Sequence, residues 1–166
     1  MTLSKKIAHP ALALLLLALA GCSTAPPQTP FTADAGMRPP RLSLAQADDV
    51  TLHAVSLVGT PYVYGGNTPA SGFDCSGLIN YVYKAQAGIV PPRTVAALAN
   101  WGQPVSVDAV STGDLVIFFQ HAAATHAGIY VGDGRFVHAP STGGEVRLDR
   151  LGSPYWSKQQ VAFIRP

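Results

Sequence analysis

Cys75, His126 and His138 are the residue types that nucleophilic acyl transfer requires. A thiol becomes a strong nucleophile once deprotonated, and imidazoles accept and return protons near neutral pH. Cys75 stands at the first turn of an expected helix, where unpaired amide N–H groups and the positive end of the macrodipole favour the thiolate. Asp74, directly before it, fits the N-cap role. Its negative charge opposes thiolate formation, so a basic partner is required.

The two histidines are twelve residues apart, with Gly132-Asp133-Gly134 midway as a hairpin turn. A three-residue loop over 132–134 pairs Gly128 with His138 and puts His126 on the same face, a diagonal neighbour at about 7–8 Å. A two-residue loop puts the imidazoles on opposite faces. The expectation is therefore the three-residue loop with Gly134 in the left-handed region. Cys75 then serves as nucleophile and His126 as general base, with His138 orienting His126 through one ring nitrogen. Ordinary alternatives stand beside this. Cys75 fits a buried structural thiol, and the histidines fit sheet residues bonded to carbonyls. All three also fit a zinc site, for which His121 and Asp114 are the available fourth ligands. The reading adopted needs no metal and no cofactor.

The flanking sequence supplies the elements that must hold these groups. Ser43-Leu44-Ala45-Gln46 reads as a capping box, followed by Val50, Ala54, Leu57 and Val58 at helical spacing, with Gly59 and Pro61 as the stop. A second helix starts at Asp74, with Cys75, Leu78, Ile79 and Val82 on one face and Gly88 as its C-terminal stop. Residues 94–101 read as a third, short helix. Five short strands follow, over 115–119, 127–131, 135–139, 145–149 and 161–165. Helices first and strands afterwards predict an α+β domain over 43–166, with N-terminal helices packed on an antiparallel sheet of about five strands. Asp114 reads as a turn residue that starts a strand, and His53 and His121 as surface or loop histidines. Arg93 suits either an internal ion pair or a substrate carboxylate. Trp101, Tyr155 and Trp156 read as core or cleft wall.

Six segments occur together in order: Pro61-Tyr62-Val63-Tyr64-Gly65-Gly66, Phe73-Asp74-Cys75-Ser76-Gly77-Leu78, Pro92-Arg93-Thr94, Gly113-Asp114-Leu115-Val116, residues 126–132 beginning His126-Ala127-Gly128, and Phe136-Val137-His138-Ala139. Jointly they resemble the NlpC-type family of cell-wall cysteine peptidases across about residues 45 to 165. The resemblance implies a papain-like core and hydrolysis of peptide bonds in the stem peptides of peptidoglycan. The bond implied is either the D-Ala to diaminopimelate cross-link or the γ-D-Glu to diaminopimelate bond. Position by position, Cys75 matches the nucleophile, His126 the base and His138 the third polar member. Tyr62 matches a tyrosine that borders the nucleophile and helps the Cys75 amide hold an oxyanion, while Asp74 and Ser76 match cleft-lining positions. The family's usual residue after the base is Val, and here it is Ala127. Rival functions are a non-catalytic wall-binding lipoprotein, or an amidase or acyltransferase using the same Cys-His site.

The N-terminus has a different character. Lys5 and Lys6 precede an apolar run over 11–20, closed by Gly21-Cys22, which is the layout of a secretory signal over 1–21. Ten apolar residues are about half of what a membrane-spanning helix needs. Leu19-Ala20-Gly21-Cys22 resembles the bacterial lipobox, implying cleavage before Cys22 and lipid on that cysteine. Residues 22–42 contain Pro26, Pro27, Pro30, Pro39 and Pro40 without apolar periodicity, and read as a tether spanning about 25 to 60 Å. These features place the protein in the cell envelope, lipid-anchored. The lipobox resemblance makes Ser23 after the lipidated cysteine compatible with the outer membrane, facing the periplasm, which is the location expected.

Composition agrees with one modest domain: 166 residues, 48% hydrophobic and 12% charged, with a net charge of +2. Removing residues 1–21 leaves nine basic against nine acidic side chains, so no excess remains to neutralise nucleic acid phosphates. The expected partners are peptidoglycan stem peptides and, through Cys22, a membrane. A monomer is expected.

Overall fold

The structure is a computed structural model and describes residues 42–141 and 144–166. The signal segment, Cys22 and most of the tether lie outside the described residues.

Helix α1, Leu44–Ser56, begins with the predicted capping box: the Ser43 hydroxyl accepts from the Gln46 amide, and the Gln46 side chain accepts from the Ser43 amide. Val50, Ala54 and Leu57 are buried as their spacing requires, whereas Val58 is exposed. A small hairpin of β1, Asn67–Thr68, and β2, Gly72–Phe73, leads into α2, Cys75–Ala87. Asp74 caps α2 by accepting from the Gly77 amide, and Gly88 ends it in the left-handed conformation. Helix α3, Val95–Leu98, is capped by Thr94 and is shorter than predicted, because the chain continues from it in isolated turns.

The sheet contains β3 (Gln103–Val105), β4 (Leu115–Gln120), β5 (Ala123–Gly132), β6 (Arg135–His138), β7 (Arg147–Arg150) and β8 (Gln160–Arg165). Its order is β3-β8-β4-β5-β6-β7, and every neighbouring pair is antiparallel. The α+β class with helices packed on an antiparallel sheet is as predicted. Among the described residues the sheet has six strands, where about five were expected. The added strand, β3, contains Pro104, which lacks an N–H; that is tolerated because β3 is the sheet edge.

Strand alternation divides the apolar residues between two layers. Leu115, Ile117, Ala127, Ile129 and Val137 meet Val50, Leu78, Ile79 and Val82 from the helices in the main core. Val116, Phe118, Phe136 and Phe163 form a second cluster, against which Trp156 packs. The main core fixes α2, and therefore Cys75, against β5.

Strand β5 carries two irregularities that matter for the site. Phe118 pairs with His126 and Phe119 with Ala124, leaving Thr125 as an extra residue beside His126. Tyr130 pairs with Phe136 and Gly132 with Arg135, leaving Val131 as a second extra residue. Such bulges re-aim side chains and sharpen local twist.

Candidate active site

The hairpin between the two histidines corrects the predicted loop. Gly132 pairs with Arg135 across a two-residue turn in which Asp133 has φ 52° and Gly134 φ 66°. A two-residue turn alone would separate the imidazoles, but the bulge at Val131 adds one residue to β5 and restores the parity. Ile129 pairs with Val137, so Gly128 lies opposite His138 and His126 is its diagonal neighbour, as predicted. Gly128 has to be glycine here. A Cβ at that position would sit 2.8 Å from the Phe136 ring and 3.2 Å from the His138 Cβ, inside the space the imidazole needs.

His126 Nε2 and His138 Nδ1 are 2.8 Å apart, and His138 Nε2 is 3.1 Å from Asp149 Oδ2. Trp156 Nε1 donates to the same Asp149 oxygen at 2.9 Å, and Arg147 donates to the other at 3.2 Å. A carboxylate only accepts, so His138 must carry its proton on Nε2 and present a bare Nδ1. His126 then donates through Nε2, leaving its own Nδ1 as an unprotonated lone pair. Asp149 remains ionised because the donors around it, first Trp156 and then His138, outweigh the cost of burial and lower its pKa. Asp149 is not among the residues singled out by the sequence, and Trp156, expected as core or cleft wall, also bonds this carboxylate. Trp156 stacks on His126 at 5.7 Å and 20°, and meets His138 edge-on at 5.0 Å.

Burial holds both imidazoles neutral. His126 is pushed down to about 3 by burial and by the neighbouring His138. His138 is pushed down to about 4 by burial, against an opposing pull from Asp149. Three of their four ring nitrogens are committed to each other and to Asp149, so His126 Nδ1 is the one left with a free lone pair among the described residues. The fourth ligands considered for a zinc site are elsewhere: Asp114 is bound by Arg165 at 2.9 and 2.7 Å, and His121 is exposed in a turn.

Cys75 is a free thiol at the first residue of α2. The Ala127 amide, one residue after His126, points at its sulfur together with the Ser76 and Cys75 amides. These donors and the helix N-terminus do not make the thiolate the resting form. Burial, joined by the Asp74 charge, outweighs them and raises the thiol. The proton therefore rests on sulfur in the free protein.

Asp74 and Ser76 adjoin Cys75 with their polar groups already committed. Asp74 accepts from the Gly65 and Gly77 amides at 3.0 and 2.6 Å and pairs with Arg93 at 3.2 Å. The Ser76 hydroxyl lies 2.9 Å from Asp74 and 2.8 Å from the Arg93 carbonyl oxygen. Together they hold the turn that presents Cys75, and Arg93 takes the ion-pair alternative of its two readings. Gly77 completes this packing, since a Cβ there would collide with the Gly66 carbonyl. Tyr62 is partly buried close enough to Cys75 for the thiolate charge to raise its hydroxyl pKa, burial being the larger cause.

The chain is similar to known proteins. The NlpC/P60 family matches residues 59–165. The chain belongs to the NlpC/P60 family. Relatives within it include the murein DD-endopeptidase MepH of Escherichia coli, 39% identical over 112 residues, covering 65% of this chain and 41% of that protein. Another is the probable peptidoglycan endopeptidase LytE of Bacillus subtilis, 41% identical over 113 residues, covering 68% of this chain and 32% of that protein. The chain thus spans less than half the length of these relatives. Among solved structures, the NlpC/P60 domain of the peptidoglycan hydrolase SagA superimposes with a TM-score of 0.62 at 31% identity, covering 70% of this chain and 96% of that one. A lipoprotein-like NlpC/P60 protein of Staphylococcus aureus gives 0.65 at 31% identity, covering 78% and 44%.

Proposed function

We propose that this protein is a cysteine endopeptidase that hydrolyses stem-peptide bonds of peptidoglycan. The observation that carries the reading is the hydrogen-bonded line from Asp149 through His138 to His126, which leaves one unprotonated nitrogen on the residue before Ala127, whose amide faces the Cys75 sulfur at a helix N-terminus. His126 Nδ1 takes the Cys75 proton as sulfur attacks the scissile carbonyl. The Cys75 amide and the Tyr62 hydroxyl hold the oxyanion, a role worth about 10²- to 10³-fold per donor in other acyl-transfer sites. As the intermediate collapses, His126 returns the proton to the leaving amine and a thioester remains. Water, activated by the same nitrogen, then releases the acyl half and restores the thiol. His138 and Asp149 keep His126 in the required tautomer and steady the imidazolium that forms transiently.

Support for the substrate comes from relatives named as murein or peptidoglycan endopeptidases. The bond is D-Ala to diaminopimelate or γ-D-Glu to diaminopimelate, and similar proteins are named for DD and for DL cleavage. Mass analysis of fragments released from purified sacculi tests the reading. Hydrolysis adds one water across a single stem-peptide bond, and the fragment masses identify which; fragments extended by an acyl acceptor would contradict it.

The same reading includes anchoring through a lipidated Cys22, with residues 22–42 as tether, at the outer membrane facing the periplasm. Its support is the lipobox-like Leu19-Ala20-Gly21-Cys22 alone. Cys22→Ala is expected to move the protein from the membrane to the soluble fraction, and unchanged fractionation would contradict the anchor.

A further inference from the structure

A cavity of about 690 Å³ opens against His126, and Cys75 is not among its lining residues. Arg147 and Asp149 form its charged wall, with Gln120, Gln159 and Tyr155 contributing to the rest. The Asp149 carboxylate is already occupied, Oδ2 by His138 and Trp156 and Oδ1 by Arg147. Arg147 is not. Its side chain is 57% exposed, and among the described residues only one guanidinium nitrogen donates, to Asp149 at 3.2 Å. The remaining donors form a planar fork suited to pair a carboxylate bidentately.

The chemistry says which half of a substrate enters here. If His126 protonates the leaving amine, that amine must come within hydrogen-bond reach of the imidazole, and the space His126 walls is then open to the chain attached to it. We propose that this cavity binds the amine-side half of the substrate and that Arg147 pairs with a carboxylate carried by it. The assignment rests on the endopeptidase reading and adds a specificity-determining residue to it. It selects peptides whose leaving residue bears a free carboxylate over those in which that group is an amide.

The test uses two synthetic stem peptides that differ only in whether the carboxyl of the amine-side residue is free or a carboxamide. Values of kcat/KM are measured for the full chain, Arg147→Gln and Arg147→Lys. The wild type is expected to favour the free carboxylate by about tenfold or more, the scale of one charge-assisted pairing. Arg147→Gln is expected to bring the ratio to about twofold or less, with Arg147→Lys between. Because each ratio is taken within one protein, a general loss transmitted through Asp149 cancels. A wild type that cleaves both peptides equally, or an Arg147→Gln ratio equal to the wild type's, overturns the assignment alone. A wild type that cleaves neither overturns the endopeptidase reading and the assignment with it.

Discussion

His138 donates to Asp149 at 3.1 Å, and this one bond decides which nitrogen of His126 is basic. The carboxylate has no proton to give, so the tautomer of His138 is set, and that of His126 follows from the 2.8 Å contact between the rings. Asp149→Ala removes the acceptor that fixes this order among the described residues and leaves the Trp156 N–H without its partner there. Loss of kcat on the order of 10²-fold is expected, with KM little changed. Asp149→Asn keeps an oxygen that can accept from both rings but loses the charge, so a smaller loss of about tenfold is expected. Steady-state kinetics on a stem peptide check the ranking; both variants within twofold of wild type would contradict the relay.

Acid should weaken the fold through the same histidines. His138 is completely buried, with its pKa at about 4 against about 6.5 in an unfolded chain. Below pH 6.5 the unfolded chain binds a proton that the folded chain refuses, so stability present at pH 7 is lost as pH falls towards 4. His138 alone contributes on the order of 2–3 kcal/mol to the difference between pH 7 and pH 4.5. Thermal melts at these two pH values should show the drop in wild type and a smaller one in His138→Asn. A wild-type melting temperature that stays level or rises on acidification would contradict the buried neutral imidazole.

Cys75 should behave as a slow thiol in the absence of substrate. Burial and the Asp74 charge raise it while both histidines are held neutral, so little thiolate exists at pH 7. Alkylation by iodoacetamide is expected to be slower than that of a small free thiol and to climb about tenfold per pH unit through pH 8. Fast alkylation, level between pH 5 and 8, is the signature of a resting thiolate–imidazolium pair and would contradict this ground state.

The pair of Asp114 and Arg165 should be asymmetric. Asp114 is 2% exposed and accepts from Arg165 through both oxygens, whereas the Arg165 side chain is 35% exposed. Arg165→Met strands a buried carboxylate and is expected to cost about 3 kcal/mol. Asp114→Asn leaves a guanidinium that can turn to water and should cost less. Urea unfolding of the two variants measures the order, and the reverse order would refute the argument.

Much of this architecture is legible in the chain because its signals are local. Ser43 and Gln46 close a capping box, Asp74 caps the helix that carries Cys75, and Gly88 ends it. The strands of the sheet follow period-two alternation, except where Pro104 hides an edge strand. The shared face of the two histidines is also legible, but for an incomplete reason: parity is kept by the bulge at Val131, and nothing in the residue types around 130–132 announces an extra residue. Asp149 was out of reach for a related cause. It lies opposite Phe136 and diagonal to His138, a relationship that parity would reveal if the register of β7 were known. Eight residues separate β6 from β7, too many for a tight turn, so their number carries no register signal. Asp114 reads as a turn residue because its partner, Arg165, is 51 positions away.

Cys75 is the proposed nucleophile of a wall-cutting reaction, and every step of that reaction depends on it. Its most direct test is the muropeptide profile of purified sacculi after incubation with the wild type and with Cys75→Ala, both confirmed folded by circular dichroism. The wild type is expected to release new stem-peptide fragments and Cys75→Ala to leave the profile of untreated sacculi. Identical profiles for the two proteins would contradict it.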